Sequence, residues 1–182
     1  MNVLILTSSR DEIDDYYKSI ARSISRFLAT NDCNLVFGGC STSMMGICYQ
    51  EFVKQGREIY SFTTSKYIDD LENLRKSKNF ICDTTFELKR NMFLNSDFIV
   101  CLPGGVGTYS ELLCYIEEKR SNDNDKPIII YDENEFYTPV IKILKELVQE
   151  KFVDANIFDM FSIVRNKNEL ENKFYEIKGR VK

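Results

Sequence analysis

The sequence predicts an α/β protein: a doubly wound, Rossmann-like parallel sheet with helices on both faces, in a single domain spanning residues 1–182. Three observations carry this expectation. Apolar runs without polar alternation, Phe98 to Leu102 above all, read as strands buried on both faces, as in a parallel sheet. Between these runs lie segments with apolar residues at helical spacing. Glycine turns follow two of the strands, at Gly38-Gly39 and at Gly104-Gly105-Val-Gly107.

Taken in order, Asn2 to Thr7 reads as the first strand. Ser9-x-x-Glu12 has the spacing of a capping box and predicts a helix from Glu12 to Ala29, with Ile13, Tyr16, Tyr17, Ile20, Ile24 and Phe27 on its apolar face. Asn34 to Phe37 is the second strand, followed by a helix from about Met44 to Gln55 that Gly56 stops. Glu58 to Phe62 is the third strand, Thr63 to Asn79 an irregular excursion, and Phe80 to Cys82 a short strand. Thr84-x-x-Glu87 is a second capping box, opening a helix through about Asn95. After the strand at Phe98 comes a helix read as Glu111 to Arg120, with Thr108 at its N-cap. Ser121 to Asp125 is a polar loop; Asp123 and Asp125 lack the full calcium-loop pattern and read as a solvated turn. Lys126 to Tyr131, Phe136 to Lys151, Met160 to Val164 and Asn168 to Ile177 complete the alternation as strand, helix, strand and helix.

The chemistry concentrates where Phe98–Leu102 ends. Pro103 stops the strand, and Gly104, Gly105 and Gly107 let the backbone approach a ligand closely. A strand, a glycine turn and a helix start aim free N–H groups at one point, which is an anion site with phosphate as its natural occupant. In a doubly wound sheet ligands bind beyond the carboxyl ends of the strands, so Ser8-Ser9-Arg10 and both glycine loops converge there. Glu111 has two readings on spacing alone: the acid of a Thr108-x-x-Glu111 capping box, or a carboxylate serving the site. Gly105-Val-Gly107-Thr-Tyr-Ser110 approaches a dinucleotide fingerprint but lacks the acidic residue about twenty positions on, and a Walker A Lys-Ser/Thr pair is absent.

Pro103-Gly-Gly-Val-Gly-Thr-Tyr-Ser-Glu111 matches PGGxGTxxE without a gap and resembles the signature of the Lonely Guy family of cytokinin riboside 5′-monophosphate phosphoribohydrolases, whose bacterial members were often labelled lysine decarboxylases. Phe37-Gly-Gly-Cys-Ser-Thr-Ser-Met-Met-Gly46 is similar to that family's GGGxxGLMG loop, with Cys40 and Ser43 in place of two glycines. The resemblance implies hydrolysis of the N-glycosidic bond of a nucleoside 5′-monophosphate with an adenine or N6-modified adenine base. Glu111 would be the catalytic carboxylate and Gly104, Gly105, Gly107 and Thr108 the phosphate donors. Gly39 and Ser41 from the second loop, and Lys89, Arg90 and Met92 from the helix before the signature, are further substrate-contacting candidates; methionine is otherwise a common core residue. Leu88 stands where the family has its active-site arginine, and Arg90 lies about 200° further round the helix. The family also implies a homodimer with sites near the subunit boundary, and neither metal nor redox cofactor.

Composition sets outer bounds. A net charge of −4 and a pI near 5.1 argue against a nucleic-acid partner. No apolar stretch has membrane-spanning length and the N-terminus enters a strand directly, so a cytoplasmic protein is expected. Six cysteines show no zinc spacing and read as free thiols. The absence of histidine removes Ser-His-Asp and Cys-His schemes, leaving carboxylates, lysine, tyrosine, cysteine or the substrate for acid–base work. A nucleotide-binding protein without turnover is the alternative function that Leu88 favours. A true decarboxylase would need a pyridoxal-phosphate lysine, which no lysine context singles out.

Overall fold

A computed structural model describes residues 1–121 and 125–180. Its sheet contains strands β1 (Asn2–Leu6), β2 (Asn34–Phe37), β3 (Ile59–Thr64), β4 (Lys78–Cys82), β5 (Phe98–Cys101), β6 (Ile128–Tyr131) and β7 (Ser162–Val164), in the order β4-β3-β2-β1-β5-β6-β7. Every adjacent pair is parallel. The helices are α1 (Asp15–Thr30), α2 (Ser43–Lys54), α3 (Thr85–Leu94), α4 (Val106–Arg120), α5 (Thr138–Gln149) and α6 (Lys167–Arg180). The predicted doubly wound fold is therefore the observed one.

The sheet is covered on both faces, which is why its central strands carry no polar alternation. One cluster joins Val3, Ile5, Phe98 and Val100 to α1, α2 and α6 through residues such as Ile24, Phe52 and Phe174. The other joins Leu4, Leu6, Ile99 and Cys101 to α4 and α5 through Leu112, Tyr115 and Val140. On the first face the buried Glu51 carboxylate accepts from Arg26 Nε (3.0 Å) and Lys54 Nζ (2.6 Å), tying α1 to α2.

Strand order reverses at β1, whose neighbours are β2 on one side and β5 on the other. The connections leaving β1 and β5 therefore diverge to opposite faces, opening a crevice at the carboxyl ends of the two strands. Thr7 to Asp14, Gly38 to Thr42 and Leu102 to Gly105 all emerge there.

Three local expectations are corrected. Asp14, not Ser9, caps α1: its Oδ1 accepts from Tyr16 N at 2.8 Å, and residues 8–13 stay outside the helix. They are held by the second loop, since Thr42 Oγ1 donates to the Ser9 carbonyl (2.8 Å) and Met45 N to the Ser8 carbonyl (3.2 Å). The excursion before α3 is more ordered than its sequence suggests, with a 3₁₀ segment at Ser65–Asn73 and a β4 that starts at Lys78. Thr108 lies inside α4, whose N-cap is Gly105. At Thr84 both side chains do cap the helix, with Glu87 reaching one residue further back than in the usual box: Thr84 Oγ1 accepts from Glu87 N (3.1 Å) while Glu87 Oε2 accepts from Asp83 N (2.8 Å). Asp123 lies outside the described residues.

Candidate active site

The glycine turn is built by packing from beneath. Thr108 Oγ1 donates to the Thr7 carbonyl (3.1 Å), and Thr7 Oγ1 lies 3.1 Å from the Pro103 carbonyl, so the β1 and β5 exits are cross-tied. The wholly buried Tyr137 donates from its hydroxyl to the Leu102 carbonyl at 2.6 Å, fixing the residue before Pro103. Gly104 is required by close approach, because a Cβ there would stand 2.1 Å from Thr108 Oγ1.

This packing leaves the helix start open. Gly105 offers α4 no side-chain cap, and the first helical bond runs from Tyr109 N to the Gly105 carbonyl at 3.1 Å. The N–H groups of Val106, Gly107 and Thr108 consequently have no intrahelical acceptor. With the positive end of the helix dipole behind them, they favour an anion.

Glu111 shares a cleft of about 210 Å³ with Gly105 to Thr108, Ser8 to Arg10 and Met45. Its carboxyl is half-buried, and burial pushes its pKa up to about 7, with the nearby Lys89 ammonium pulling the other way. Lys89 is held in place by donating from Nζ to Ser110 Oγ at 2.7 Å. Stability follows from the sign of the shift. Folded Glu111 holds its proton more tightly than at the ordinary value of 4.5, so its contribution is present below pH 4.5 and lost as pH rises through about 7. Glu111 does not reach back to cap α4, so its carboxylate is free for other work.

The other candidates divide. Lys89 is brought to Glu111. Arg90 lines the outer groove between α3 and α4 with Phe86, Phe93 and Cys114, and Lys89 lines that groove too, reaching Glu111 through its charge rather than as a wall of the cleft. Met92 is a correction: it is buried in the core against the sheet and has no access to the cleft. The Thr108 hydroxyl is spent on Thr7, so only its amide faces an anion. Gly39 sits at φ +60° against the Phe62 carbonyl and shapes the second loop from below. Ser41 Oγ donates to Asp70 Oδ1 (3.1 Å), which anchors that loop to the 3₁₀ segment rather than to the cleft. Leu88 packs on the core, leaving no cation at the position where the family has arginine.

Arg10 is the site residue that sequence spacing underplays. Its N–H donates to Ser8 Oγ (3.1 Å) and its carbonyl accepts from Ser43 Oγ (2.5 Å). Arg10 is exposed and lines the cleft, and its guanidinium makes no ion pair among the described residues. Ser43 accomplishes this anchoring at φ +50°, left-handed backbone that suits glycine and costs a serine about 1 kcal/mol. The only positional signal was that Ser8-Ser9-Arg10 leaves the central strand. Among the described residues no group of His, Cys, Asp or Glu could hold a metal ion. Burial pushes the Cys48 and Cys101 thiols up to about 12 and Cys33 to about 11, so these remain protonated. No helix among the described residues is long and apolar enough to cross a membrane.

Fold and cleft define a class: a doubly wound α/β protein with an anion-accepting helix start and one acid group at its topological switch point. Residues 45–174 match the family described as possible lysine decarboxylase, and the chain belongs to it, the Lonely Guy family of the 103–111 signature. It is 25% identical over 177 residues to a probable cytokinin riboside 5′-monophosphate phosphoribohydrolase of Oryza sativa subsp. japonica, covering 96% of this chain and 76% of that one. A cytokinin riboside 5′-monophosphate phosphoribohydrolase of Arabidopsis thaliana is 25% identical over 172 residues, covering 94% and 75%. Among solved structures, the molybdenum cofactor carrier protein of Chlamydomonas reinhardtii superposes with a TM-score of 0.70 at 13% identity, covering 98% of each chain. At that identity the likeness concerns the fold alone.

Proposed function

We propose that this protein hydrolyses the N-glycosidic bond of a nucleoside 5′-monophosphate, giving free base and ribose 5-phosphate. The observation that carries the reading is a carboxylate, Glu111, in one cleft with the free amides of Val106, Gly107 and Thr108. The phosphate sits on those amides with Arg10 alongside, which directs the ribose toward Glu111. As the C1′–N bond lengthens, the carboxylate stabilises the positive charge developing on the ribosyl ring and orients the water that attacks C1′. Water supplies the hydroxyl to C1′ and its proton leaves with the base. The named relatives support this reaction class, and adenine or an N6-modified adenine is the base that the resemblance of the 103–111 signature implies.

Base release from AMP, CMP, GMP, UMP and isopentenyl-AMP tests the reading: product from an adenine nucleotide is expected, and none from any of the five refutes it. Because the ionised form of Glu111 is the active one, turnover rises with pH through a midpoint of about 7. Lys89→Met removes the cation that opposes the upward shift, so the midpoint of the pH–rate profile moves higher. An unmoved midpoint would remove Lys89 from the site. A second reading, binding without turnover, is favoured by Leu88, which puts apolar packing where the family has arginine. AMP binding with no released base selects it.

A homodimer belongs to the same proposal. Phe86 (82% exposed) and Leu94 (60%) on α3 line the open groove toward α4 and leave apolar surface uncovered among the described residues. Phe86→Glu with Leu94→Glu is expected to shift the protein to monomer in sedimentation; an unchanged mass places the contact elsewhere.

A further inference from the structure

The cleft beside Glu111 is only half of the opening at the β1/β5 switch point. A second lobe of about 200 Å³ lies on the far side of Gly105, and Ser8, Arg10 and Gly105 line both. The two lobes differ in chemistry. Around Glu111 the wall is amides, hydroxyls and the carboxylate; in the second lobe it is Ile13, Tyr17, Pro103 and Phe136, with Met44 beneath. The Tyr17 and Phe136 rings meet edge to face, 5.7 Å between centroids, which fixes one side of this lobe with aromatic carbon. Arg10, whose guanidinium makes no ion pair among the described residues, lines both lobes.

We infer that the site takes nucleotides whose 5′-phosphate continues through a second phosphate to a planar aromatic group, a pyrophosphate-bridged dinucleotide class. This rests on the phosphate position of the proposed function and extends its substrate class. The first phosphate sits on the amides of Val106 to Thr108 and the second beside Arg10. A monophosphate seated on those amides with its ribose toward Glu111 does not extend into the apolar lobe on the other side of Gly105. The second ring enters between Ile13 and Phe136, where stacking favours any planar base. Arg10 suits a bridging diphosphate because its planar fork can meet oxygens of both phosphates.

Calorimetric titration of AMP, ADP-ribose and P1,P2-diadenosine diphosphate tests the inference on the full chain. The diadenosine probe carries the second ring, whereas ADP-ribose has the pyrophosphate without it. The diadenosine probe should bind at least about tenfold more tightly than ADP-ribose, the gain expected from one stacked base. Ile13→Ser and Phe136→Ser, checked for unchanged melting, should each erase most of that gain and leave AMP affinity as it was. Two variants on different segments guard against one misfolding. If AMP binds and the diadenosine probe binds no better than ADP-ribose, the second lobe is not a ring site and this inference fails alone. If AMP itself does not bind, the underlying phosphate assignment fails.

Discussion

Glu111→Gln is expected to lower base release from AMP at pH 8 by about 10²–10⁴-fold, the range typical for loss of a positioned catalytic carboxyl. Nucleotide affinity should change little, because the phosphate is held by amides of α4 that the substitution does not touch. The amide side chain keeps the length and much of the hydrogen bonding of the acid while removing its charge. Melting gives an independent check. Ionised Glu111 is unfavourable in its half-buried place, so the Gln variant should melt higher than the wild type at pH 8, and the advantage should fade toward pH 5. Unchanged turnover would remove Glu111 from the chemistry. A large loss of affinity would mean that it serves binding instead.

Gly104→Ala is the second substitution with a large expected effect. The added Cβ falls 2.1 Å from Thr108 Oγ1 and 2.6 Å from Thr108 Cβ. Thr108 cannot swing aside, since it is buried and its hydroxyl is bonded to the Thr7 carbonyl. The turn itself must open, which displaces the very amides that receive the phosphate. Overpacking of this kind costs about 1–3 kcal/mol, and in a chain of this size each kcal/mol lowers the melting temperature by about 2–4 °C. AMP affinity should fall at least about tenfold, equivalent to roughly 1.4 kcal/mol. Gly105→Ala is the control one residue on: its Cβ meets nothing within 4 Å, so melting should hold. Equal behaviour of the two variants would contradict the packing account.

The fold was legible because its evidence is local. Phe98 to Cys101 is apolar at every position, and the strand is buried at every position. The glycine turn and the acid after it were legible for the same reason: one short segment carries both. What escaped reading was settled by competition between segments. Three stretches had capping-box spacing, and only Thr84/Glu87 caps its helix with both side chains. At Ser9/Glu12 the chain is held across the strand ends by Thr42 and Met45, and α1 starts later. At Thr108/Glu111 the helix starts earlier, with Gly105 as N-cap, so Thr108 lies inside it and Glu111 has no cap amide to reach. Met92 aligned with a family position, yet the face of α3 turned to the sheet decides its fate. Arg10 follows no motif; the Ser43 hydroxyl, 33 residues away, anchors its backbone where the two lobes meet.

The central claim, phosphate on the α4 amides with the glycosidic carbon facing the acid, is tested most directly by a crystal structure of the Glu111→Gln variant with AMP. The phosphate is expected within hydrogen-bond distance of the Val106, Gly107 and Thr108 amides, with C1′ turned to the side chain at position 111. A nucleotide bound elsewhere, or one seated with its ribose turned away from that side chain, would contradict the account.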